Sequence, residues 1–354
     1  MDVIERLIKE IPDEIDGLII KEDINRRYFT NFLSTEGTLV VTKKGAYLLL
    51  DFRYFEMAKK IVKNAEILLY DNLFEEIRGI FEKDSVVNVL VETSYVSIKQ
   101  FEEYKEKLEE FSFKKDSWLD DTILRFRSVK TQEEIEKIRK SQEVVDAAFA
   151  HILDYIKKGQ TEKQIAKEIE SFISDNAQGV SFPTIVVSGK NTSLPHGKPS
   201  QKVLEDGDFV TMDFGAVLDG YCSDMTRTVC VGKSCDFQKD LYKVVLGGQE
   251  LALKKIKEGL VCRDVDLLVR NYFKEFSYVK EFGHGLGHGV GLNIHEGPYL
   301  NKVCETVLKE NMVVTVEPGL YISSKMGLRI EDLVVVKKNG ILNLTNSSKE
   351  LIYI

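Results

Sequence analysis

The sequence predicts a two-domain protein, with a small α/β domain over residues 1–125 and a larger α+β domain over residues 126–354. The chain of 354 residues is too long for one average domain and about right for two. Short apolar runs alternate with helical patterns in the first third of the chain. After residue 130 the pattern changes to long helices and glycine-rich, strand-like segments.

The first domain begins with an amphipathic helical pattern and then alternates between strands and helices. Strands are predicted at 18–20, 38–42, 46–50, 67–70 and 86–91, and helices at 2–10, 54–62 and 98–111. The sequence Lys43-Lys44-Gly45 is typical of a turn between two neighbouring strands. Together these elements make a small α/β domain of ordinary size.

The second domain begins with a helix whose start is marked by a capping box. Thr131 and Glu134 have the S/T-x-x-E spacing in which each side chain bonds the other residue's backbone, and Gly159 ends the pattern. Thr161 and Gln164 repeat the device for the next helix. Two more helices are predicted at 238–258 and 263–276, and strands within 183–189, 208–231, 282–296, 312–322 and 328–337. We therefore expect helices covering an antiparallel sheet.

Composition excludes several classes of protein. The chain is 43% hydrophobic and 30% charged with a net charge of −8, and no basic stripe predicts nucleic-acid binding. The charged amphipathic start does not resemble a secretory signal, and no run of 18 apolar residues predicts a membrane span. The odd number of cysteines lacks a paired framework and predicts reduced thiols in the cytoplasm. These are Cys222, Cys230, Cys235, Cys262 and Cys304.

Two aspartates flank a predicted hairpin. Asp219-Gly220 is a favoured pair for a two-residue turn, and pairing the strands from that turn places Asp213 opposite Thr226. Asp213 and Asp224 then point to the same face as diagonal neighbours, roughly 7–8 Å apart at Cα. Taken alone, the pair is also compatible with two polar residues on a solvated hairpin.

A glycine-rich segment holds three of the five histidines. His284, His288 and His295 lie within twelve residues, among glycines that let a ligand approach closely. His196 lies in a predicted loop between a proline and a glycine. His151 falls in a helix, where we interpret it as a surface or packing residue. Three histidines among glycines, which are residues without side chains, favour metal or substrate binding.

Two glutamates follow or precede apolar strands. Glu317 ends a buried-looking strand, and Glu331 leads into another with Arg329 on the same face. Buried charges are costly unless paired, and two carboxylates about 5 Å apart repel by about 3 kcal/mol at an effective dielectric of 20. The candidate metal ligands are therefore Asp213, Asp224, His288, Glu317 and Glu331. Their four negative charges match two divalent cations, and oxygen-rich ligands favour hard ions such as Mn²⁺ or Co²⁺.

The motifs around these five positions resemble the pita-bread metallopeptidases (M24B type), a family that includes aminopeptidase P, prolidase and methionine aminopeptidase. The matching motifs are MDFG, YCSDMTRT, GHGVGLNIHE, VEPG and GLRIED. The segments NRRYFTNF and DFRY resemble the creatinase-type N-terminal domain, which aminopeptidase P and prolidase also carry. Asn31 stands where a glycine is common, but asparagine tolerates the left-handed backbone.

The resemblance implies a pita-bread (creatinase/aminopeptidase) catalytic domain preceded by a creatinase-type α/β domain, and it implies a role for each site residue. Asp213 would chelate one metal, Asp224 and Glu331 would bridge both, and His288 and Glu317 would complete the other. A hydroxide between the metals would attack the scissile carbonyl, with Glu317 moving the proton. His196 and His295 would bind substrate and steady the tetrahedral intermediate. The further candidates are His284 near the substrate and Arg329 holding a carboxylate.

The resemblance also implies a substrate class and leaves alternatives open. We expect short proline-containing peptides cleaved at an Xaa-Pro bond, first as an Xaa-Pro aminopeptidase and alternatively as an Xaa-Pro dipeptidase. Mn²⁺ is the first expectation for the two metal ions, with Co²⁺ and Zn²⁺ as alternatives, and a homodimer is expected. A creatinase or a non-catalytic binding protein of the same fold would lack metal ligands that are all present in this chain.

Overall fold

The computed structural model describes residues 2–354, which form two compact units divided between Arg127 and Ser128. Each unit has its own hydrophobic cores. None of the helices in residues 2–354 is long and apolar enough to cross a bilayer.

The first unit is a mixed six-stranded sheet with helices on both faces. Its helices are α1 (Val3–Glu10), α2 (Asp23–Thr30), α3 (Phe52–Ile61), α4 (Leu73–Asp84), α5 (Ile98–Lys107) and α6 (Trp118–Ser128). Its strands are β1 (Gly17–Ile20), β2 (Thr38–Thr42), β3 (Ala46–Leu50), β4 (Glu66–Leu69), β5 (Asn88–Val91) and β6 (Ser112–Lys114). The strand order is β4-β3-β2-β1-β5-β6, with antiparallel pairing only between β1, β2 and β3.

The two faces of this sheet are buried by different helices. Leu18 and Ile20 pack in the core that includes α1, α2, α3 and α6, whereas Ile19 packs in the core that includes α4 and α5. This alternation is the period-2 geometry of a strand. Because helices cover both faces of the sheet, the strand sequences are continuous apolar runs.

Three helices of the first unit were not predicted from sequence: α2, α4 and α6. In α4, Gly79 lies in the helix interior and weakens the helical pattern. Asn72 compensates by capping the helix, since its side chain accepts a hydrogen bond from the Phe74 amide at 3.1 Å. In α6, Leu119, Ile123 and Phe126 share a buried face close to the boundary between the two predicted domains.

The second unit combines four long helices with short antiparallel sheets. The helices are α7 (Gln132–Tyr155), α8 (Glu162–Asn176), α9 (Asp236–Lys255) and α10 (Cys262–Glu275), with a 3₁₀ turn at Gly189–Ser193. The first strands are β7 (Gly179–Val180), β8 (Ile185–Ser188), β9 (Phe209–Phe214), β10 (Ala216–Leu218), β11 (Tyr221–Cys222) and β12 (Met225–Cys230). The later strands are β13 (Gly287–Gly289), β14 (Glu296–Leu300), β15 (Val313–Val316), β16 (Gly319–Ile322), β17 (Met326–Arg329), β18 (Asp332–Lys337) and β19 (Gly340–Asn343).

Both predicted capping boxes are present. The Thr131 side chain accepts from the Glu134 amide at 3.2 Å, and a Glu134 carboxylate oxygen accepts from the Thr131 amide at 2.8 Å. Thr161 and Gln164 make the same reciprocal pair. The helices that these boxes start, α7 and α8, pack on β8 and β9. The pair α9 and α10 packs on the sheet ordered β14-β13-β15-β18-β19.

Candidate metal centre

The predicted hairpin has the expected register. Leu218 pairs with Tyr221 and Asp213 pairs with Thr226. Asp219 and Gly220 have φ values of 50° and 79°, the left-handed conformations that a tight turn between twisted strands requires. Asp213 and Asp224 are both buried and line the same cavity.

The other three predicted ligands reach that cavity from different strands. His288 lies on β13, Glu317 directly follows β15, and Glu331 lies between β17 and β18. Ligand atoms of Asp224, His288 and Glu331 all lie within 4.8 Å of one another. His288 Nε2 is 3.5 Å from an Asp224 carboxylate oxygen and 3.4 Å from a Glu317 carboxylate oxygen. The structure therefore brings together side chains from four separate stretches of chain.

The glycines beside His288 allow its strand to pack closely against its neighbours. A Cβ added at Gly287 would lie 2.1 Å from the Thr315 carbonyl oxygen, and one added at Gly289 would lie 2.3 Å from the Gly297 carbonyl oxygen. Any other residue at these two positions would push the neighbouring backbone away. The alternating glycines thus fix the position of the imidazole relative to the carboxylates.

Three buried carboxylate oxygens in this cluster have no hydrogen-bond partner among residues 2–354. They are Asp213 Oδ1, Asp224 Oδ1 and Glu331 Oε1. Buried polar atoms are normally satisfied, so each such atom needs an explanation. Divalent cations satisfy oxygen acceptors of this kind and cancel their charge. The residues present therefore fit a metal site.

Burial raises the pKa values of three carboxyl groups of the cluster. For Asp224 and Glu331 the upward shift comes from burial first and then from neighbouring carboxylates. Burial also raises the pKa of Glu317 to about 7. Burial lowers the pKa of His288, which keeps the imidazole neutral and able to bind a metal. Without a cation, the three carboxyl groups therefore favour their protonated, neutral form.

These shifts predict how metal-dependent stability varies with pH. Because the folded protein binds more protons than the unfolded chain between about pH 4.5 and pH 7, this cluster destabilises the metal-free fold as pH rises. Bound cations remove that repulsion. We therefore expect Mn²⁺ to raise the melting temperature more at pH 8 than at pH 5, as measured by thermal unfolding with and without chelator. An equal shift at both pH values in wild type would contradict this assignment.

Arg329 is held entirely by protein groups. Its guanidinium donates to Asp213, to the Thr226 hydroxyl at 3.0 Å and to the Tyr321 hydroxyl at 2.6 Å. It also donates to the Pro195 carbonyl at 3.3 Å. The Thr226 hydroxyl in turn donates to Glu331 at 2.7 Å. Arg329 therefore orients two of the predicted ligands, a role that sequence reasoning favoured over substrate contact.

The remaining histidines differ in what they contact. His284 Nδ1 lies 2.7 Å from the Gly285 carbonyl oxygen and must donate to it, so Nε2 accepts from the Tyr321 hydroxyl at 3.1 Å. Burial lowers the pKa of His284 to about 4, which keeps this neutral form. Both His284 nitrogens are thus engaged within the protein, although its ring lines the cavity.

His295 and His196 are the exposed histidines of the cavity. The His295 ring packs edge-on against His288, with ring centroids 4.3 Å apart. Burial lowers the pKa of His295. His151 lies away from the cavity, where it bonds Glu168 at 2.7 Å and stacks on Phe172.

Sequence reasoning missed a buried ion pair behind His295. Lys130 Nζ lies 2.8 Å from a Glu296 carboxylate oxygen, with side chains only 1% and 4% exposed. Glu296 directly follows His295 and also accepts from the Asn293 amide at 3.4 Å. The ion pair therefore anchors the segment that presents His295. No local signal links Lys130 to Glu296, because 166 residues separate them.

A second missed pair anchors the segment that leads to His288. On α10, Arg270 bonds Asp266 at 2.6 Å and donates to the Phe282 carbonyl at 2.9 Å and to the His284 carbonyl. Asp266 accepts from the Leu286 amide at 3.1 Å. Asp266 is a charge on the buried, apolar face of its helix. That mismatch was a signal available in the sequence, because a buried carboxylate needs a partner.

Comparison with known proteins gives consistent matches to two family models. The model described as metallopeptidase family M24 matches residues 136–338, and the one described as creatinase/prolidase N-terminal domain matches residues 4–129. An Xaa-Pro dipeptidase of Pyrococcus furiosus is 37% identical over 352 residues, covering 99% of each chain.

Solved structures are similar over the whole chain. An Xaa-Pro dipeptidase from Bacillus anthracis is 40% identical with a TM-score of 0.95, covering 99% of each chain. An X-Pro aminopeptidase from Thermotoga maritima is 34% identical with a TM-score of 0.92, covering 100% of each chain. The relatives thus include both activities that the sequence left open.

Proposed function

The chain belongs to metallopeptidase family M24, and from this premise we propose that it hydrolyses the Xaa-Pro bond of short proline-containing peptides. The expected fold class is a creatinase-type domain followed in sequence by a catalytic domain of this family. The family and structural matches confirm it. Relatives named Xaa-Pro dipeptidase and X-Pro aminopeptidase support the choice of bond. The observation that carries the proposal is the convergence of Asp224, His288 and Glu331 with unpartnered carboxylate oxygens.

In this proposal the five ligand side chains hold two divalent ions, with Mn²⁺ favoured by the oxygen-rich set. Asp213 would hold one ion, His288 and Glu317 would hold the other, and Asp224 and Glu331 would contribute to both. When bound, such ions lower the pKa of water to give a nucleophile at neutral pH and polarise the scissile carbonyl. Buried carboxylates with raised pKa values support this assignment, since cations explain their burial.

The side chains around the ligands supply proton transfer and orientation. Glu317 lies in the cavity with a carboxylate oxygen 3.4 Å from His288 Nε2, and we assign it the transfer of a proton to and from the reacting groups. His295 and His196 are exposed in the cavity and can donate to the negative charge that develops on the carbonyl oxygen. Arg329 keeps Asp213 and, through Thr226, Glu331 in place. His284 supports Arg329 through Tyr321, which bonds both.

We also propose a domain division, an oligomeric state and a cellular location for the protein. We assign residues 1–125 to the creatinase-like domain and 126–354 to the catalytic domain. All five ligands fall in the second range, which supports placing the chemistry there. We also propose a homodimer and a cytoplasmic location, and the latter is supported by free thiols at Cys230, Cys235, Cys262 and Cys304.

The choice between aminopeptidase and dipeptidase is tested with two substrates. Mn²⁺-loaded protein is incubated with an Xaa-Pro dipeptide and with an Xaa-Pro-Xaa tripeptide, and the released amino acids are quantified. Cleavage of the tripeptide makes the protein an aminopeptidase, and cleavage of the dipeptide alone makes it a dipeptidase. Hydrolysis of neither, together with cleavage of a peptide that starts with methionine, would contradict the Xaa-Pro assignment.

A further inference from the structure

The cavity that holds the ligand side chains also has a positively charged edge. Lys163 and Lys167 on α8 and Lys198 in the loop after His196 are exposed and line this cavity, and we call them the basic rim. Apart from the metal ligands, Glu170 is the one acidic residue that lines the cavity among residues 2–354. The rim therefore carries an excess of positive charge.

The ammonium groups of the basic rim have no ion-pair partner in the part of the chain described, residues 2–354. Two lysines near them in sequence are paired: Lys202 pairs with Asp208 at 2.5 Å, and Lys158 pairs with Asp206. Three unpaired lysines that line one cavity produce a field that attracts anions.

Among residues 2–354, no other cationic side chain of the cavity is available for an anionic substrate group. Arg329, the one arginine of the described residues that lines the cavity, already bonds Asp213, Thr226 and Tyr321. The carboxylates of the metal centre repel an anion unless cations cover them. A negative group on the substrate would therefore meet the basic rim as its cationic partner.

The dimensions of the cavity suit this arrangement. Its volume is about 1000 Å³, which corresponds to a sphere about 12 Å across. Two to three extended residues span roughly 7–10 Å. Apolar walls from Phe182, Ile185 and Pro195 lie in the same cavity and suit a proline ring. A short peptide whose scissile bond lies at the metal ligands can thus place a carboxylate within reach of a lysine at the edge.

We propose that the basic rim binds a carboxylate of the substrate, so that anionic short peptides are preferred over neutral ones. The inference rests on the proposed function, because it assumes that the cavity receives Xaa-Pro peptides. Two sources present the same chemical group: the C-terminal carboxylate of a dipeptide and an acidic side chain on the residue before proline. The basic rim would bind the carboxylate from either source, and the choice of substrates distinguishes the C-terminal carboxylate from the acidic side chain.

The test compares kcat/KM for two matched pairs of substrates with the Mn²⁺-loaded full-length protein. The first pair is Ala-Pro and its C-terminal amide, and the second is Glu-Pro amide and Gln-Pro amide. We expect the anionic member of at least one pair to be preferred about tenfold, mainly through KM, because a charge contact at the cavity edge acts on binding. The preference should shrink at high salt, which screens exposed charges. The first pair reports the terminal carboxylate and the second reports the side chain.

The lysines are tested by the triple variant Lys163→Gln, Lys167→Gln and Lys198→Gln, which should lose the preference for the anionic member. A charge-matched control replaces three exposed lysines outside the cavity, Lys254, Lys255 and Lys257, with glutamine and should keep it. Equal kcat/KM within both pairs, or a preference that survives in the rim variant, would overturn the rim proposal and leave the proposed function standing. Hydrolysis of none of the four substrates, together with no hydrolysis of the Xaa-Pro-Xaa tripeptide, would overturn both.

Discussion

Replacing Glu331 with glutamine is expected to reduce kcat/KM by at least about a thousandfold, which corresponds to about 4 kcal/mol of transition-state stabilisation. Glu331 is 1% exposed, and its Oε1 has no partner among the residues described. Its other oxygen accepts from the Thr226 hydroxyl at 2.7 Å, a bond that the glutamine carbonyl can keep. The substitution therefore removes a charge with little change in shape. Activity with Xaa-Pro substrates at saturating Mn²⁺ is the measurement.

The same substitution separates loss of metal binding from loss of folding. Because burial and neighbouring carboxylates raise the pKa of Glu331, removing its charge should leave the metal-free protein at least as stable as wild type at pH 8. The melting temperature of the metal-free variant checks this. Glu275→Gln, at an exposed position at the end of α10, is the matched control and should keep full activity. Glu331→Gln with wild-type kcat/KM would refute the role given to this carboxylate.

Replacing Lys130 with methionine is expected to destabilise the protein by about 3–5 kcal/mol, because it leaves the buried Glu296 carboxylate without its cation. The two side chains are 1% and 4% exposed, so solvent cannot take the place of the lost partner. Thermal unfolding of the metal-loaded variant measures the effect. Since Glu296 follows His295 in sequence, we also expect a lower kcat in the variant that remains folded at low temperature.

The control for Lys130 removes both charges. The double variant Lys130→Met with Glu296→Gln should recover a large part of the lost stability, since the cost lies in an uncompensated charge rather than in the pair itself. Lys140→Met on α7, at an exposed position, should have a melting temperature close to wild type. A double variant less stable than Lys130→Met alone would show that the pair acts in another way.

The local features of the fold were predictable because short stretches of chain encode them. The hairpin at Asp219-Gly220 and the capping boxes at Thr131 and Thr161 depend on residues a few positions apart, and the structure has each one. Helix α4 was missed because Gly79 interrupts its pattern and its stability comes from tertiary packing.

The ligand side chains of the site were predictable from sequence, but the residues that hold them in place were not. The charges of Glu317 and Glu331 beside apolar strands indicated partners, which led to a set of five candidate ligands, and the resemblance to a known family supplied the role of each ligand. The Lys130–Glu296 pair, the Arg270–Asp266 pair and the Tyr321 hydroxyl were not predicted. Asp266 left a signal, because its charge lies on an apolar helix face. The other contacts join residues that are distant in sequence, so periodicity and spacing do not reveal them.

The most direct test of this account is the amount of metal that the protein binds. Protein saturated with Mn²⁺ and passed through a desalting column is analysed by mass spectrometry for metal per chain. The convergence of Asp213, Asp224, His288, Glu317 and Glu331 predicts two equivalents in wild type and fewer in Glu331→Gln. No retained metal in wild type, or equal retention in the variant, would contradict the assignment of these side chains as a two-metal centre.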